Sequence, residues 1–364
     1  MTRGLRCLLS VIACLLATAF LGACSHDLGD PYAWLTPGAQ PSPFPGASVW
    51  VVGLPDVVLG SPDGGATWKV NHRSANVDPL TGDLWAVAFG DADHGWAVRR
   101  GLASPPESIL VTADAGASWS WQHPNVQGRL LSVAAVDARH AWVVGYDKDE
   151  GLALATGNGG TTWRQQRVPA DLQLSDVAFG DTRHGWILGH DAVDLARSVV
   201  LATSDGGAHW RVVFSSRRAH LQGLAALGPL YCWAVGAVDK PQSGFVALTR
   251  DGGAHWQTQQ DVTDEPLGAV SFPDARHGWA VGPAGTIAAT DDGGDTWSKQ
   301  SIDSRFDLKA VTFADARHGW ALIGHLALLA TADGGTTWAV VRPANTRDAL
   351  TGLTSVAGPA IAQQ

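Results

Sequence analysis

The chain has few cysteines and few charged residues. Of its 364 residues, 4 are cysteines (Cys7, Cys14, Cys24 and Cys232) and only 16% are charged. The first three cysteines lie in or at the end of an apolar N-terminal segment, so the folded part of the chain retains Cys232 alone. This excludes an intramolecular disulfide, and we expect packing to supply the stability that disulfides give many exported proteins.

Positive charge is also scarce, since 25 basic residues face 34 acidic ones and the formal net charge is −9. This balance argues against non-specific binding to nucleic acid or to anionic lipid headgroups. The 43 glycines and 17 tryptophans instead suit many tight turns between packed β-sheets. Such a composition is typical of an all-β protein.

The longest apolar run, Cys7 to Leu21, falls short of the ~20 residues that span a bilayer. Arg3 and Arg6 precede it, which is typical of a signal peptide. The run ends in Leu21-Gly22-Ala23-Cys24, which resembles the bacterial lipobox and implies a diacylglycerol on Cys24 after cleavage before it. An uncleaved membrane anchor is the alternative.

The sequence thus predicts a signal peptide over 1–23, a lipidated cysteine and proline-rich tether over 24–46, a folded domain over 47–357 and a tail over 358–364. We expect an exported lipoprotein of the cell envelope. Ser25 and His26 include no aspartate, which favours the outer membrane, facing the periplasm, in a host with two membranes.

A motif of the form S/T-x-D-x-G-x-x-W occurs seven times, ending at tryptophans spaced by 51, 44, 47, 46, 41 and 41 residues. Periods of this size are typical of propeller blades. A second tryptophan element, such as RHGWAVG at Trp279, precedes each motif, so fourteen of the 17 tryptophans occupy two repeat positions. We call the first motif the Asp box. Its third residue is Asp63, Asp114, Asn158, Asp205, Asp251, Asp292 and Asp333 in turn.

Each repeat resolves into four short strands, and in the sixth copy these are Leu267 to Phe272, Trp279 to Gly282, Gly285 to Asp291 and Trp297 to Gln300. The Asp-box side chain is expected to accept hydrogen bonds from turn amides, while its glycines take positive φ. Only the first copy lacks an upstream first strand, and a matching run, Leu350 to Val356, follows the last box. The sequence therefore predicts an all-β, seven-bladed propeller of four-stranded blades, closed by a C-terminal strand that completes the first blade.

The tandem pattern of HGWAVG followed by TxDGGxTW resembles the photosystem II stability and assembly factor-like family of BNR (Asp-box) repeat propellers. The resemblance implies a non-enzymatic scaffold that binds a membrane protein or an assembly intermediate, without a cofactor. We expect a monomer that binds such a partner while the lipid holds it at the membrane.

That family's members bind their client through an arginine-rich patch. The connections between blades carry arginines that would lie on one face of the ring, and they are the predicted partner-binding residues: Arg73, Arg129, Arg167, Arg217, Arg218, Arg305 and Arg347. Acidic residues such as Asp171 and Asp264 share these connections, so an ordinary mixed surface is the alternative. Arg139, Arg183, Arg276 and Arg317 would lie on the opposite face.

Asp boxes also occur in sialidases, which makes a glycan-binding or glycosidase propeller the competing hypothesis. The chain lacks the Arg-Ile-Pro motif of sialidases, and of its three tyrosines only Tyr146 is plausibly placed. Paired carboxylates of other glycosidases could come from Asp191, Asp194, Asp239 or Asp264, but none lies in a motif. A quinoprotein-like redox propeller is a weaker alternative. We predict no catalytic residues.

Five histidines recur at one repeat position, at His94, His140, His184, His277 and His318. Because each falls on a different blade, we predict that they stabilise turns and bind no metal. The Asp boxes also lack the ligand density of a calcium loop. Cys232 is expected to be a buried, inert thiol.

Overall fold

A computed structural model describes residue 44 and residues 47–74, 83–100, 109–169, 171–194, 197–239, 242–302, 307–324, 327–341 and 349–357. The predicted signal peptide, Cys24 and nearly all of the predicted tether lie outside these residues. Among the residues described, no helix is long and apolar enough to cross a membrane.

The described chain forms seven four-stranded antiparallel sheets, the blades of a propeller. Blade 1 contains β1 (Ala47–Leu54), β2 (Val57–Ser61) and β3 (Lys69–Arg73); blade 2 contains β4 (Leu84–Phe89), β5 (Gly95–Arg99), β6 (Ile109–Thr112) and β7 (Ser120–Gln122). Blade 3 contains β8 (Arg129–Ala135), β9 (Ala141–Asp147), β10 (Glu150–Thr156) and β11 (Arg164–Gln166). Blade 4 contains β12 (Leu172–Phe179), β13 (Gly185–Asp191), β14 (Ser198–Thr203) and β15 (Arg211–Ser216).

The remaining three blades follow the same order. Blade 5 contains β16 (Ala219–Leu227), β17 (Tyr231–Asp239), β18 (Gln242–Thr249) and β19 (Gln257–Gln259). Blade 6 contains β20 (Ala269–Ser271), β21 (Gly278–Val281), β22 (Thr286–Thr290) and β23 (Ser298–Ser301), with a 3-10 turn at Pro283–Gly285. Blade 7 contains β24 (Leu308–Phe313), β25 (Gly319–Ile323), β26 (Ala327–Thr331) and β27 (Ala339–Val341).

The last strand, β28 (Ala349–Ala357), pairs with β1 and so completes blade 1 in the order β28-β1-β2-β3. Its register sets Trp50 opposite Thr354 and Val51 opposite Leu353. The predicted all-β seven-bladed propeller, closed by a C-terminal strand, is confirmed. Two strands of blade 6 are shorter than predicted. The third covers only Thr286–Thr290, and β20 begins at Ala269 because the amide of Leu267 donates to the carbonyl of Gly236 in blade 5 at 3.1 Å.

The core lies between neighbouring blades, where repeated aromatic rings stack. Between blades 3 and 4, Trp142 stacks on Phe179 with ring centres 3.5 Å apart, and Trp210 meets the edge of Phe179 at 5.9 Å. The same arrangement recurs between blades 6 and 7 around Phe313. Stacked and edge-on aromatic contacts add to the free energy that burial of these rings already supplies. The tryptophan in the second strand of one blade and the Asp-box tryptophan of the next blade therefore hold adjacent blades together.

Phe44, which the sequence assigned to the tether, packs onto the ring. Its side chain stacks on His318 of blade 7 with ring centres 4.0 Å apart, and it packs against the core between blades 7 and 1. The chain therefore enters the propeller beside the seam that β28 closes.

Candidate functional site

The propeller has two faces that differ in their turns. In blades 2 to 7, the turn between the first and second strands bonds to the Asp box between the third and fourth strands; in blade 3 the amide of Gly159 donates to the carbonyl of Arg139 at 3.0 Å. We call this side the Asp-box face. The opposite side, which carries the connections from one blade to the next, is the connection face.

The Asp boxes are self-contained turns. In the sixth box, Asp292 accepts hydrogen bonds from the amide and hydroxyl of Thr296 at 2.9 and 2.6 Å, and Thr290 accepts one from the amide of Gly294 at 2.9 Å. Gly293 and Gly294 have φ of 77° and 93°, which a side chain would strain. The hydrogen bonds from Thr296 lower the pKa of Asp292 to about 2, so the carboxylate is ionised at neutral pH.

The third box differs from the others because Asn158 replaces the aspartate. The Asn158 Oδ1 accepts the amide of Thr162 at 3.0 Å, while its Nδ2 donates to the Thr162 hydroxyl at 2.9 Å. The turn is therefore capped as in the other boxes but carries no charge.

The five recurrent histidines bond the aspartates that open their own turns. In blade 4, the Nδ1 of His184 lies 2.9 Å from Asp181, whose carboxylate also accepts the amides of Arg183 and His184 at 2.7 Å. Burial opposes ionisation of Asp181, but these hydrogen bonds outweigh it and lower its pKa. Among the described residues, no group of three or more His, Cys, Asp or Glu side chains is placed to hold a metal ion.

A groove of about 620 Å³ lies between blades 3 and 4 at the Asp-box face. Asn158, Arg164 and Arg167 line its blade 3 wall, while Thr182 and Asp205 lie on the side of blade 4. Its floor is held by Gly206, whose carbonyl accepts hydrogen bonds from Trp142 Nε1 and Gln166 Nε2, both at 2.9 Å.

This groove continues along β11 into a second depression of about 450 Å³, lined by Glu150, Gly151, Val168 and Pro169. Gln165, Gln166 and Arg167 line both parts. The two parts together can hold an extended chain rather than a compact small molecule.

Two exposed arginines, Arg164 and Arg167, line this groove, and two more, Arg139 and Arg183, are next in sequence to its lining residues His140 and Thr182. Within the described part of the chain, none of their guanidinium groups has an ion pair or a hydrogen bond. The nearby acids are already engaged: Asp137 bonds His140, Asp181 bonds His184, and Asp205 bonds His209 at 2.7 Å. The groove is consequently a place on this face where positive charge is left without a partner.

The arginines predicted on the connection face are only partly brought together. Arg217 donates to Asp194 at 2.6 Å, Arg218 and Arg73 are exposed, and Arg129 is half-buried at the start of β8. Arg305 and Arg347 lie outside the described residues. Arg167 lines the groove together with Arg164, which the sequence did not single out.

A central channel of about 310 Å³ is lined by the innermost strand of every blade. Of its lining residues, Asp176 is the one carboxylate, and it bonds both neighbouring blades. It accepts the Ser132 hydroxyl of blade 3 at 2.7 Å and the amide of Leu224 of blade 5 at 2.8 Å. Burial raises the pKa of Asp176 even though these hydrogen bonds oppose the shift.

The carboxylates considered for glycoside hydrolysis do not form a pair across this channel. Asp191 and Asp194 bond Arg197 and Arg217 on the connection face, and Asp264 bonds Lys299 at 2.6 Å. Asp239 ends β17, and Tyr146 lies near the end of β9. Cys232 is buried, and this burial raises the pKa of its thiol well above the usual range.

Comparisons with known proteins agree with the repeats. A family model described as the photosynthesis system II assembly factor YCF48 matches residues 156–223 and 248–344. Two solved structures are each 21% identical with a TM-score of 0.54 and cover 72% of this chain: YCF48 from Cyanidioschyzon merolae, over 86% of that chain, and YCF48 bound to D1 peptide, over 81%.

The WD40 repeats of RRP9 are similar in fold, with 11% identity, a TM-score of 0.59 and coverage of 84% of this chain and 88% of that one. A comparison with functionally curated proteins found no match. The family model covers parts of blades 3 to 7, including the third to seventh Asp boxes complete. Together with the seven Asp-box blades, this match supports a photosystem II assembly factor-like propeller of the BNR-repeat type.

Proposed function

We propose that this protein is a membrane-anchored, non-enzymatic scaffold whose groove between blades 3 and 4 holds an acidic segment of a membrane protein or assembly intermediate. The observation that carries the proposal is that two arginines without acidic partners, Arg164 and Arg167, line that groove. One of the solved structures of similar fold is YCF48 bound to D1 peptide, and this supports a peptide as the occupant.

The chemistry of the groove suits carboxylates on an extended chain. Arginine presents a planar fork of donors that matches a carboxylate at two points, and such charge-assisted hydrogen bonds are stronger than neutral ones. Asn158 is uncharged, whereas an aspartate at this position would repel an acidic occupant beside Arg164. Glu150 and Asp205 at the two ends of the groove would disfavour acidic residues there and so help to fix the register.

Anchoring through Cys24 would raise the effective concentration of the scaffold near membrane clients. Replacement of Cys24 by Ser is expected to release the protein from the membrane fraction without changing its melting temperature. A variant that still fractionates fully with membranes would rule out the lipid as the anchor.

The partner site is tested by crosslinking in the native membrane, followed by identification of the captured protein. The double variant Arg164→Glu and Arg167→Glu should lose the partner captured by the wild type. Its matched control is Arg217→Glu with Arg218→Glu, which makes the same charge change on the connection face and should retain capture. Loss of partner capture in the control but not in the groove variant would contradict the proposal and place the site on the connection face.

The competing glycosidase hypothesis has an independent test. Asp176 is the only carboxylate that lines the described channel, whereas hydrolysis needs two carboxylates across a cleft. Purified protein should not turn over aryl glycosides, and turnover abolished by Asp176→Asn would contradict the scaffold proposal.

A further inference from the structure

Two histidines from adjacent blades meet on the connection face, away from the groove. His190 lies near the end of β13 in blade 4, and His220 is the second residue of β16 in blade 5. Their ring centres are 4.9 Å apart, and their planes are inclined by 48°. His190 is half-buried and His220 is exposed, so the pair is open to solvent on one side.

This pair differs from the histidines that stabilise turns. Seven others bond an aspartate through Nδ1 at 2.7 to 2.9 Å: His94, His140, His184, His209, His255, His277 and His318. Neither His190 nor His220 has a carboxylate partner among the described residues. A role in turn structure therefore does not explain why they lie together.

A buried serine orients the ring of His190. The Ser198 Oγ accepts the amide of Leu221 at 3.0 Å and lies 3.4 Å from His190 Nδ1. With the proton on Nδ1, this nitrogen donates to Ser198 and leaves the lone pair of Nε2 free, as in the outer-shell hydrogen bonds of histidines that bind metals.

The ring separation fits two ligands of one metal ion. A metal–nitrogen bond of about 2.0 Å, plus about 1.2 Å from nitrogen to ring centre, places each ring centre about 3.2 Å from the metal. Two such ligands at about 90–110° hold their ring centres about 4.5–5.2 Å apart, a range that includes the observed 4.9 Å.

We propose that His190 and His220 form a two-imidazole site for a divalent transition metal, with copper(II) preferred over zinc, that joins blades 4 and 5. No third His, Cys, Asp or Glu side chain within the described residues joins them, so water or a partner's group completes the coordination. Imidazole suits copper and zinc, and copper(II) stands highest in the affinity order of the divalent first-row ions. The site is independent of the proposed groove.

The test is isothermal titration of metal-stripped full chain with CuSO₄ and with ZnCl₂. Wild type should bind one equivalent of each, with copper bound more tightly, and saturation should raise the melting temperature by about 3 °C. His190→Ala and His220→Ala should each weaken copper binding at least tenfold. The control His209→Ala removes an exposed histidine bonded to Asp205 and should bind like wild type.

Electron paramagnetic resonance of the copper complex gives a second readout. Wild type should show hyperfine coupling to two imidazole nitrogens, and His220→Ala should show coupling to fewer. Because His220 is exposed, its variants should fold even if His190→Ala does not. Unchanged affinity in His220→Ala, or no copper bound by wild type, would overturn the proposal.

Discussion

Removal of the Asp176 side chain should loosen the centre of the ring. Asp176 accepts one hydrogen bond from each neighbouring blade, through Ser132 and Leu224, and a third from the amide of Val177 at 2.9 Å. Asp176→Ala leaves those donors without their partner. A buried donor left unpaired costs about 1–3 kcal/mol, but the channel admits water that can replace part of the loss.

We therefore expect a net destabilisation of about 2 kcal/mol for Asp176→Ala. The entropy of unfolding, about 2.1 cal/mol/K per residue over about 310 residues, converts this into a fall of about 3 °C in melting temperature. Asp176→Asn keeps one acceptor oxygen, and its melting temperature should fall by less. Asp93→Ala is the control, since it removes an exposed carboxylate with no bond across blades.

The same carboxyl predicts a pH dependence. Because burial raises its folded-state pKa above the unfolded value, the native state binds the proton more tightly, and this group's contribution to stability falls as pH rises from the unfolded toward the folded pKa. The stability of wild type relative to Asp176→Asn should thus increase as pH falls through that window. Differential scanning calorimetry at several pH values measures it. A melting temperature of Asp176→Ala within about 1 °C of wild type would refute the bridging role.

Three further predictions concern the boxes, the seam and the thiol. Asn158→Asp should fold with an unchanged or slightly higher melting temperature, since six boxes already carry Asp, yet bind the acidic partner more weakly; equal or tighter binding would contradict the charge argument. Deletion of all residues after Asp348 removes β28 and should give an insoluble or protease-sensitive product, whereas a monomer melting like the full chain would disprove ring closure. Cys232 should react with a thiol reagent such as DTNB only in denaturant, and fast reaction in buffer would show that it is accessible.

The fold could be predicted because its information is repeated and local. An Asp box places its hydroxyl, carboxylate and glycines within eight residues, so the turn can be predicted from sequence without knowledge of its surroundings. Ring closure could be predicted for a related reason. The repeat that contains Trp50 has no first strand before it, and a matching strand sequence is present at Leu350 to Val356. Because each strand recurs in seven blades, the repeats together compensate for the weak strand signal of any single blade.

The channel escaped prediction because it depends on residues that do not repeat. At the position of Asp176, the inner strands of the other blades carry Ala86, Ser132, Gly223, Ala269, Ala310 and Gly352. Nothing in the sequence around Asp176 resembles a motif, and its partners lie 44 and 48 residues away. The His190 and His220 pair is hidden in the same way, since its rings meet only when blades 4 and 5 pack.

The groove shows why a site on a repeat protein is best sought where the repeat fails. The sequence placed Asn158 at the aspartate position of its box, where it caps the turn, and it treated the arginines of the two faces as separate sets. Packing places Arg164 and Arg167 of blade 3 near Asn158 and beside the turn that carries Arg183. One lost negative charge and two unpaired positive charges then coincide in a groove beside boxes that carry ionised aspartates. Since Asn158 preserves the turn, its effect is electrostatic, and binding rather than folding is the property that should respond to it.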